Sequence, residues 1–203
     1  MTMLESDVEE RLTRQLEFVL EVEKLKQIFR QTVLPGDERR ENDAEHSWHL
    51  GLMAVLLVEH AKEPEVDLLR VVKMVLIHDL VEIDAGDTFA YDEAGNVDKV
   101  ERETVAAERI FGLLSEDQKR ELRSLWDEFE ARQTPEARYA AALDRLQPVM
   151  LNFQTQGAAW RRHGVTRAQV IARNKHISEG SPSLWKYAEG LIDEAVKRGY
   201  LAG

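Results

Sequence analysis

The apolar run Val71-Val72-Lys73-Met74-Val75-Leu76-Ile77 ends in His78-Asp79, and carboxylates follow at Glu82, Asp84 and Asp87. Ionisable groups at the end of an oily segment are costly to bury unless something binds them. In mid-helix, neighbouring side chains point about 100° apart. At a helix C-terminus both can converge on one point, and the partial negative charge of that end favours a cation. The pair therefore suits a metal ion capping a helix; a core histidine hydrogen-bonded to an aspartate is the plain alternative. His46 shares an inward stripe with Leu50, Met53 and Leu57, and imidazole is a ready ligand for borderline divalent ions. A packed core histidine fits the same stripe. His49, near Trp48 and Leu52, suits packing equally and takes no role. Asp144 has Ala137, Ala140, Pro148 and Leu151 within two turns, so its carboxylate must be paired, coordinated or protonated. Arg145 points elsewhere on a regular helix, with a local salt bridge as the alternative. Two neutral imidazoles and two carboxylates would balance one divalent cation.

The elements that must carry these residues are helical. Leu4, Val8, Leu12, Leu16, Val19 and Leu20 mark one face of a long first helix that continues through Leu25, Ile28 and Phe29 to Pro35-Gly36-Asp37. After the loop "DERREND", a second helix runs from about Ala44 to His60 with Asp43 as N-cap; apolar on every side between Leu50 and Val58, it reads as central. A third begins at Pro64 and ends near His78. Beyond the acidic loop around Asp92-Glu93-Ala94-Gly95-Asn96, a charged helix covers about 98–114. Ser115 and Gln118 make a capping-box pattern for another over about 116–132. Pro135 starts a sixth, with a kink expected at Pro148, and Thr166 and Ser181 or Ser183 cap the last two. No strand-like alternation of useful length is present. The expectation is an all-α fold, one domain over 1–203, with its core at about 25–155 and C-terminal helices at about 166–198 packed on it.

Composition narrows the partners. The 203 residues carry a formal net charge of −11, which argues against a nucleic-acid polymer, whose phosphates select basic surfaces. A small phosphorylated substrate needs only one local positive site. No apolar run reaches membrane-span length, and the acidic start "MTMLESDVEERLTRQ" is unlike a secretory signal. The absence of cysteine removes disulfides, thiolate catalysis and sulfur-ligated zinc. A cytoplasmic protein is expected, with no membrane. Trp126, Trp160 and Trp185 read as packing or dimer contacts, His163 and His176 as exposed, Asp84 as a solvated acid, and "DKVERETVAAERI" as a solvated helix face.

The order H…HD…D, with "RRENDAEHSWH", "LIHDLVEIDAGD" and "AALDRLQ", resembles the HD superfamily of metal-dependent phosphohydrolases, and within it the 5'-deoxynucleotidase branch, from about Leu25 to about Asn152. The resemblance implies an all-α bundle with a metal site between central helices, a homodimer, and removal of the 5'-phosphate from nucleoside monophosphates, deoxyribonucleotides by preference. It implies one divalent metal ion (Co, Mn, Mg, Zn, Fe and Ni are not distinguished) on His46, His78, Asp79 and Asp144. Asp79, Glu82 and Arg30 would serve catalysis, Arg30 by orienting the phosphate, and Asp87-Thr88-Phe89-Ala90 would lie against the nucleotide sugar. The chain departs from the bacterial pattern after Arg30, where Gln31 replaces tryptophan, and one extra residue lies between Arg30 and His46. Hydrolysis of another phosphoester (a nucleoside triphosphate, cyclic nucleotide or alarmone) and a non-catalytic metal-binding scaffold are the alternatives.

Overall fold

The computed structural model describes residues 3–36, 39–92 and 94–203; Asp37, Glu38 and Glu93, from the two expected loops, lie outside the described residues, as does the side chain of Leu4. The fold is an α-helical bundle with one small sheet. In chain order its elements are α1 (Met3–Val22), a 3-10 turn (Glu23–Gln27), β1 (Phe29–Val33), β2 (Arg40–Asn42), α2 (Asp43–Leu57) and a 3-10 turn (Val58–His60). Then come α3 (Leu68–Ile77), α4 (Glu82–Ala85), α5 (Lys99–Phe111), α6 (Glu116–Ala131) and α7 (Pro135–Gln154). The last are α8 (Ala158–Arg162), α9 (Arg167–Asn174), α10 (Ile177–Gly180) and α11 (Pro182–Lys197). No described helix is long and apolar enough to cross a membrane.

Helix α7 is the axis. Its face from Ala137 through Tyr139, Ala140, Leu143, Leu146 and Val149 is buried, and α3, α10 and α11 pack against it. The helix starts as read, with Thr134 accepting from the Ala137 amide at 3.2 Å and Pro135 in the first turn, and it runs on through Pro148. Small residues permit the closest approach: a Cβ on Gly180 would lie 2.2 Å from the Arg138 carbonyl oxygen, so α10 rests directly on the α7 backbone. Thr166 caps α9 with Gln169 in a full capping box, and Ser181 caps α11. Ser115 is the N-cap of α6, but its hydroxyl meets the Gln118 side chain instead of a backbone amide.

The first helix does not reach Pro35. It stops at Val22, and Phe29-Arg30-Gln31-Thr32-Val33 pairs antiparallel with Arg40–Asn42. Ile28, Phe29, Thr32 and Val33 satisfy a helical stripe and a strand alike, and pairing with a segment seven or more residues away decided between them. Asn42, one residue before the expected cap, accepts from the Glu45 amide at 2.9 Å, and Glu45 accepts from the Asn42 amide at 3.2 Å. The third helix starts at Leu68, capped by Asp67, not at Pro64.

The stripe Val8, Leu12, Leu16, Val19 and Leu20 faces away from the chain's own core, and α2, read as central, leaves Trp48, Leu52, Val55 and Leu56 exposed. Apolar periodicity locates a face that avoids water without saying which partner covers it. The buried positions of α2 are Asp43, His46, Ser47, Leu50, Met53 and Ala54.

Candidate active site

Helix α3 delivers His78 as its C-cap, with the His78 amide donating to the Met74 carbonyl at 3.0 Å. The chain turns immediately: the Glu82 amide donates to the Asp79 carbonyl at 2.9 Å, α4 makes one turn, and Gly86 (φ 75°) redirects the backbone into Asp87. Where the spiral breaks, adjacent side chains converge, and His78 Nε2 lies 3.1 Å from Asp79 Oδ1. From α2, His46 Nε2 lies 3.0 Å from Asp144 Oδ1 of α7 and 3.9 Å from Asp79 Oδ2. Asp144 Oδ1 is also 3.7 Å from His78 Nε2. The four residues singled out in the sequence thus meet at one buried point.

Both imidazoles are oriented from behind. His78 Nδ1 donates to the Val75 carbonyl at 3.0 Å. His46 Nδ1 donates to Gln147 Oε1 at 3.1 Å, and Gln147 Nε2 donates onward to Glu41 Oε1 at 2.5 Å. These bonds assign the proton to Nδ1 in each ring and turn Nε2 toward the aspartates, as metal-binding histidines require. His78 Nε2 is buried without a hydrogen bond. Donor atoms of His46, His78 and Asp79 lie within 4.8 Å of one another. An orphaned imidazole nitrogen facing two carboxylates fits a divalent cation with mixed nitrogen and oxygen ligands.

The electrostatics show the same demand for positive charge. Burial opposes protonation of His78, yet Asp79 and Asp144 raise its imidazole to about 10. Burial, and then Arg30, press His46 down to about 4. Burial favours protonated Asp79, but His78 and Arg30 hold its carboxyl well below the usual range. Next to these lies a second acidic group, Asp43, Glu82 and Asp87. Burial and the neighbouring Asp79 and Asp43 push Glu82 well above an ordinary carboxyl, and its Oε2 is buried with no partner. Burial, with Asp79 second, raises Asp43 to about 7.

Arg30 stands between the two groups. It lies on β1 in the stretch where the β1–β2 register shifts, an irregularity that re-aims a side chain. Its Nη1 donates to Asp79 Oδ2 at 2.8 Å and to Asp43 Oδ1 at 3.0 Å, and Asp87 Oδ1 is 4.0 Å away. The pocket holding the centre encloses about 950 Å³ including its open mouth, and Asp87, Thr88, Phe89, Ala90 and Gln31 line it. Arg102 of α5 pins that loop: it donates to the Ala85 carbonyl, to the Gly95 carbonyl at 2.9 Å and to Thr88 Oγ1 at 3.3 Å. Phe89 stacks on His163 at 4.4 Å and on Tyr91 at 5.3 Å between ring centroids.

Several side chains depart from their expected places. Arg145 does not point away: its Nε is 3.4 Å from Asp144 Oδ2, and it lines the pocket. Glu103, read as part of a solvated face, is 6% exposed, pairs with Lys99 at 3.2 Å and reaches the pocket with it. His176 is half-buried, and burial followed by Arg145 lowers it to about 4. Asp84 pairs with Arg109 on the surface, and His163 is exposed. Trp126 and Trp160 are buried, Trp160 on the pocket wall. Glu41 and Gln147 carried no signal in the sequence, because each gains its role from a residue distant in the chain, and Lys99 and Arg173 reach the pocket wall only once the helices have packed.

Comparison with known proteins agrees with this geometry. The human 5'-deoxynucleotidase HDDC2 is 30% identical over 136 residues, 66% of this chain and 65% of that protein, and the Danio rerio protein of the same name is 30% identical over 136 residues, 66% of each. The chain thus aligns with just under two thirds of the length of these relatives. The crystal structure of a predicted metal-dependent phosphohydrolase from Magnetospirillum magnetotacticum MS-1 is 58% identical with a TM-score of 0.92, covering 96% of this chain and 97% of that one. The PH0347 protein of Pyrococcus horikoshii OT3, 21% identical with a TM-score of 0.62 over 90% of this chain and 99% of that one, shares the fold. The family model of the HD domain matches residues 22–185, a span that contains every element reaching the pocket, and the chain belongs to that family.

Proposed function

We propose that this pocket removes the 5'-phosphate from nucleoside monophosphates, deoxyribonucleotides by preference, with one divalent ion on His46, His78, Asp79 and Asp144. The observation that carries the reading is the meeting of two Nε2 atoms and two carboxylates beside a carboxyl of raised pKa, Glu82, and the guanidinium of Arg30. The names of the relatives support the substrate class. A divalent ion bound there would polarise a phosphoryl oxygen and lower the pKa of water to about 7. The chain supplies the rest. Glu82, whose carboxyl burial and Asp79 raise well above its ordinary range, is the acid placed to deliver a proton to the departing 5'-oxygen. Arg30 offers its guanidinium to the phosphate. Asp87 accepts from a sugar hydroxyl, and Thr88, Phe89 and Ala90 form the wall beside it. We also infer a homodimer, in which a second copy covers apolar side chains left exposed on α1 and α2.

The test is phosphate release by the metal-loaded chain from a panel of nucleoside mono-, tri- and cyclic phosphates. Deoxynucleoside 5'-monophosphates are expected to turn over fastest, with activity lost on chelation and in Asp79→Ala, together with metal content measured by elemental analysis. Preferential turnover of triphosphates or cyclic esters would replace the monophosphate reading, and an inert, metal-loaded chain would leave a scaffold.

A further inference from the structure

Two arginines stand on the pocket wall, Arg145 of α7 and Arg173 of α9, and among the described residues neither has a carboxylate to itself. Arg145 touches only Asp144, at 3.4 Å, a carboxylate already engaged by His46. Among the described residues Arg173 forms no ion pair, and the Nε atoms of both arginines are buried without a hydrogen bond. Burial, and then the charge of Arg145, lower Arg173 to about 10. Arg132 and the half-buried His176 add to the same corner. A guanidinium withdrawn from water next to another guanidinium is unfavourable, and residues that break a local rule in this way concentrate where a ligand is bound. Arg30, by contrast, is already ringed by Asp79, Asp43 and Asp87. A phosphate dianion approaching so acidic a centre needs positive charge from elsewhere in the pocket.

We propose that Arg145 and Arg173 together form an oxyanion-binding subsite on the α7–α9 wall that holds a phosphate group of the substrate. This rests on the reading of the pocket as a phosphohydrolase site and adds to it a second phosphate-recognising element. Planar guanidinium forks match phosphate oxygens with paired hydrogen bonds, and both arginines line the pocket with an Nε–H that makes no hydrogen bond.

Inorganic phosphate is the probe. Calorimetric titration of the full metal-loaded chain is expected to show phosphate binding that weakens by about tenfold or more in Arg173→Gln. Arg173→Lys is expected to recover part of the loss, since it restores the charge without the fork. Metal content is expected to stay unchanged. The Tm of Arg173→Gln is expected to hold or rise, because the substitution removes a half-buried charge for which burial and repulsion by Arg145 outweigh the attraction of Asp144; a structural arginine would lower it. Phosphate affinity unchanged in Arg173→Gln, or no phosphate binding by the wild-type chain, overturns the subsite.

Kinetics identify the phosphate. A rise in KM for both a nucleoside 5'-monophosphate and a nucleoside 3',5'-bisphosphate means that the scissile group is held there. A rise for the bisphosphate alone means a second group, and no rise for either overturns the proposal. Titration needs no turnover, so a chain that binds phosphate through Arg173 but hydrolyses no phosphoester removes the proposed activity and keeps the subsite.

Discussion

Glu82 shows how far environment can move a side chain from its ordinary chemistry. It is 4% exposed and faces Asp79, Asp43 and Asp87, so its carboxyl gives up its proton at a higher pH than a surface glutamate would. Glu82→Gln preserves shape and removes the acid. Its kcat is expected to fall by about a hundredfold with little change in KM, and the alkaline decline that Glu82 gives the kcat profile should vanish. Since the pKa is raised, the wild-type decline comes as pH rises through it, and steady-state kinetics against pH would record this. Gln147 acts one step back, joining Glu41 to His46. Gln147→Leu leaves the His46 ring without its Nδ1 acceptor and is expected to weaken metal affinity by about ten- to a hundredfold, measured by competition with a chelating dye. Unchanged affinity would remove Gln147 from the support of the centre. His46, His78, Asp79 and Asp144 were legible in the sequence because each is a polar residue where the pattern asks for an apolar one. Arg145 was misread, since a regular helix turns consecutive side chains apart while a long flexible one can fold back on its neighbour.

At the scale of elements, the segment after His78 matters most. Arg102 ties this segment to α5, with cross-links to Ala85, Thr88 and Gly95. Arg102→Ala is expected to raise KM by about tenfold, comparable to losing one charge-assisted hydrogen bond, with kcat much less affected. Initial rates over a substrate series would check it, and faster cleavage of the 86–97 segment in limited proteolysis should accompany the change. The family resemblance pointed to Asp87–Ala90 as a segment facing the sugar, but Arg102 looked like one more charge on a solvated helix. The hairpin is the larger miss. Residues 28–33 satisfy two periodicities, and only β2, together with α7 and α8 packed on β1, selects the strand.

For the whole molecule, unburied apolar surface is the main feature. Val8, Leu12, Leu16, Val19 and Leu20 on α1, with Leu52, Val55 and Leu56 on α2, are exposed, more than scattered surface leucines would account for. The proposed homodimer predicts twice the chain mass in light scattering coupled to size exclusion, and a shift toward one chain mass in Leu16→Glu combined with Leu56→Glu. A wild-type chain of single mass would sink the dimer. The same surface explains why α2, read as central, is half-exposed: an apolar pattern is the same whether the covering partner is this chain or a second copy.

The amino-acid sequence alone determined the helical class, the starts of α2, α6, α7, α9 and α11 to within a residue, and the four polar residues of the centre, because periodicity, capping chemistry and the cost of burying charge act locally. Tertiary structure decided the rest: the strand that carries Arg30, the reach of Arg145 and Arg173 into the pocket, the burial of Glu103 and the Glu41–Gln147–His46 chain. The strand and the Glu41–Gln147–His46 chain depend on contacts between residues distant in sequence, and the burial of Arg145, Arg173 and Glu103 depends on which elements cover them; both are set only when the helices have packed.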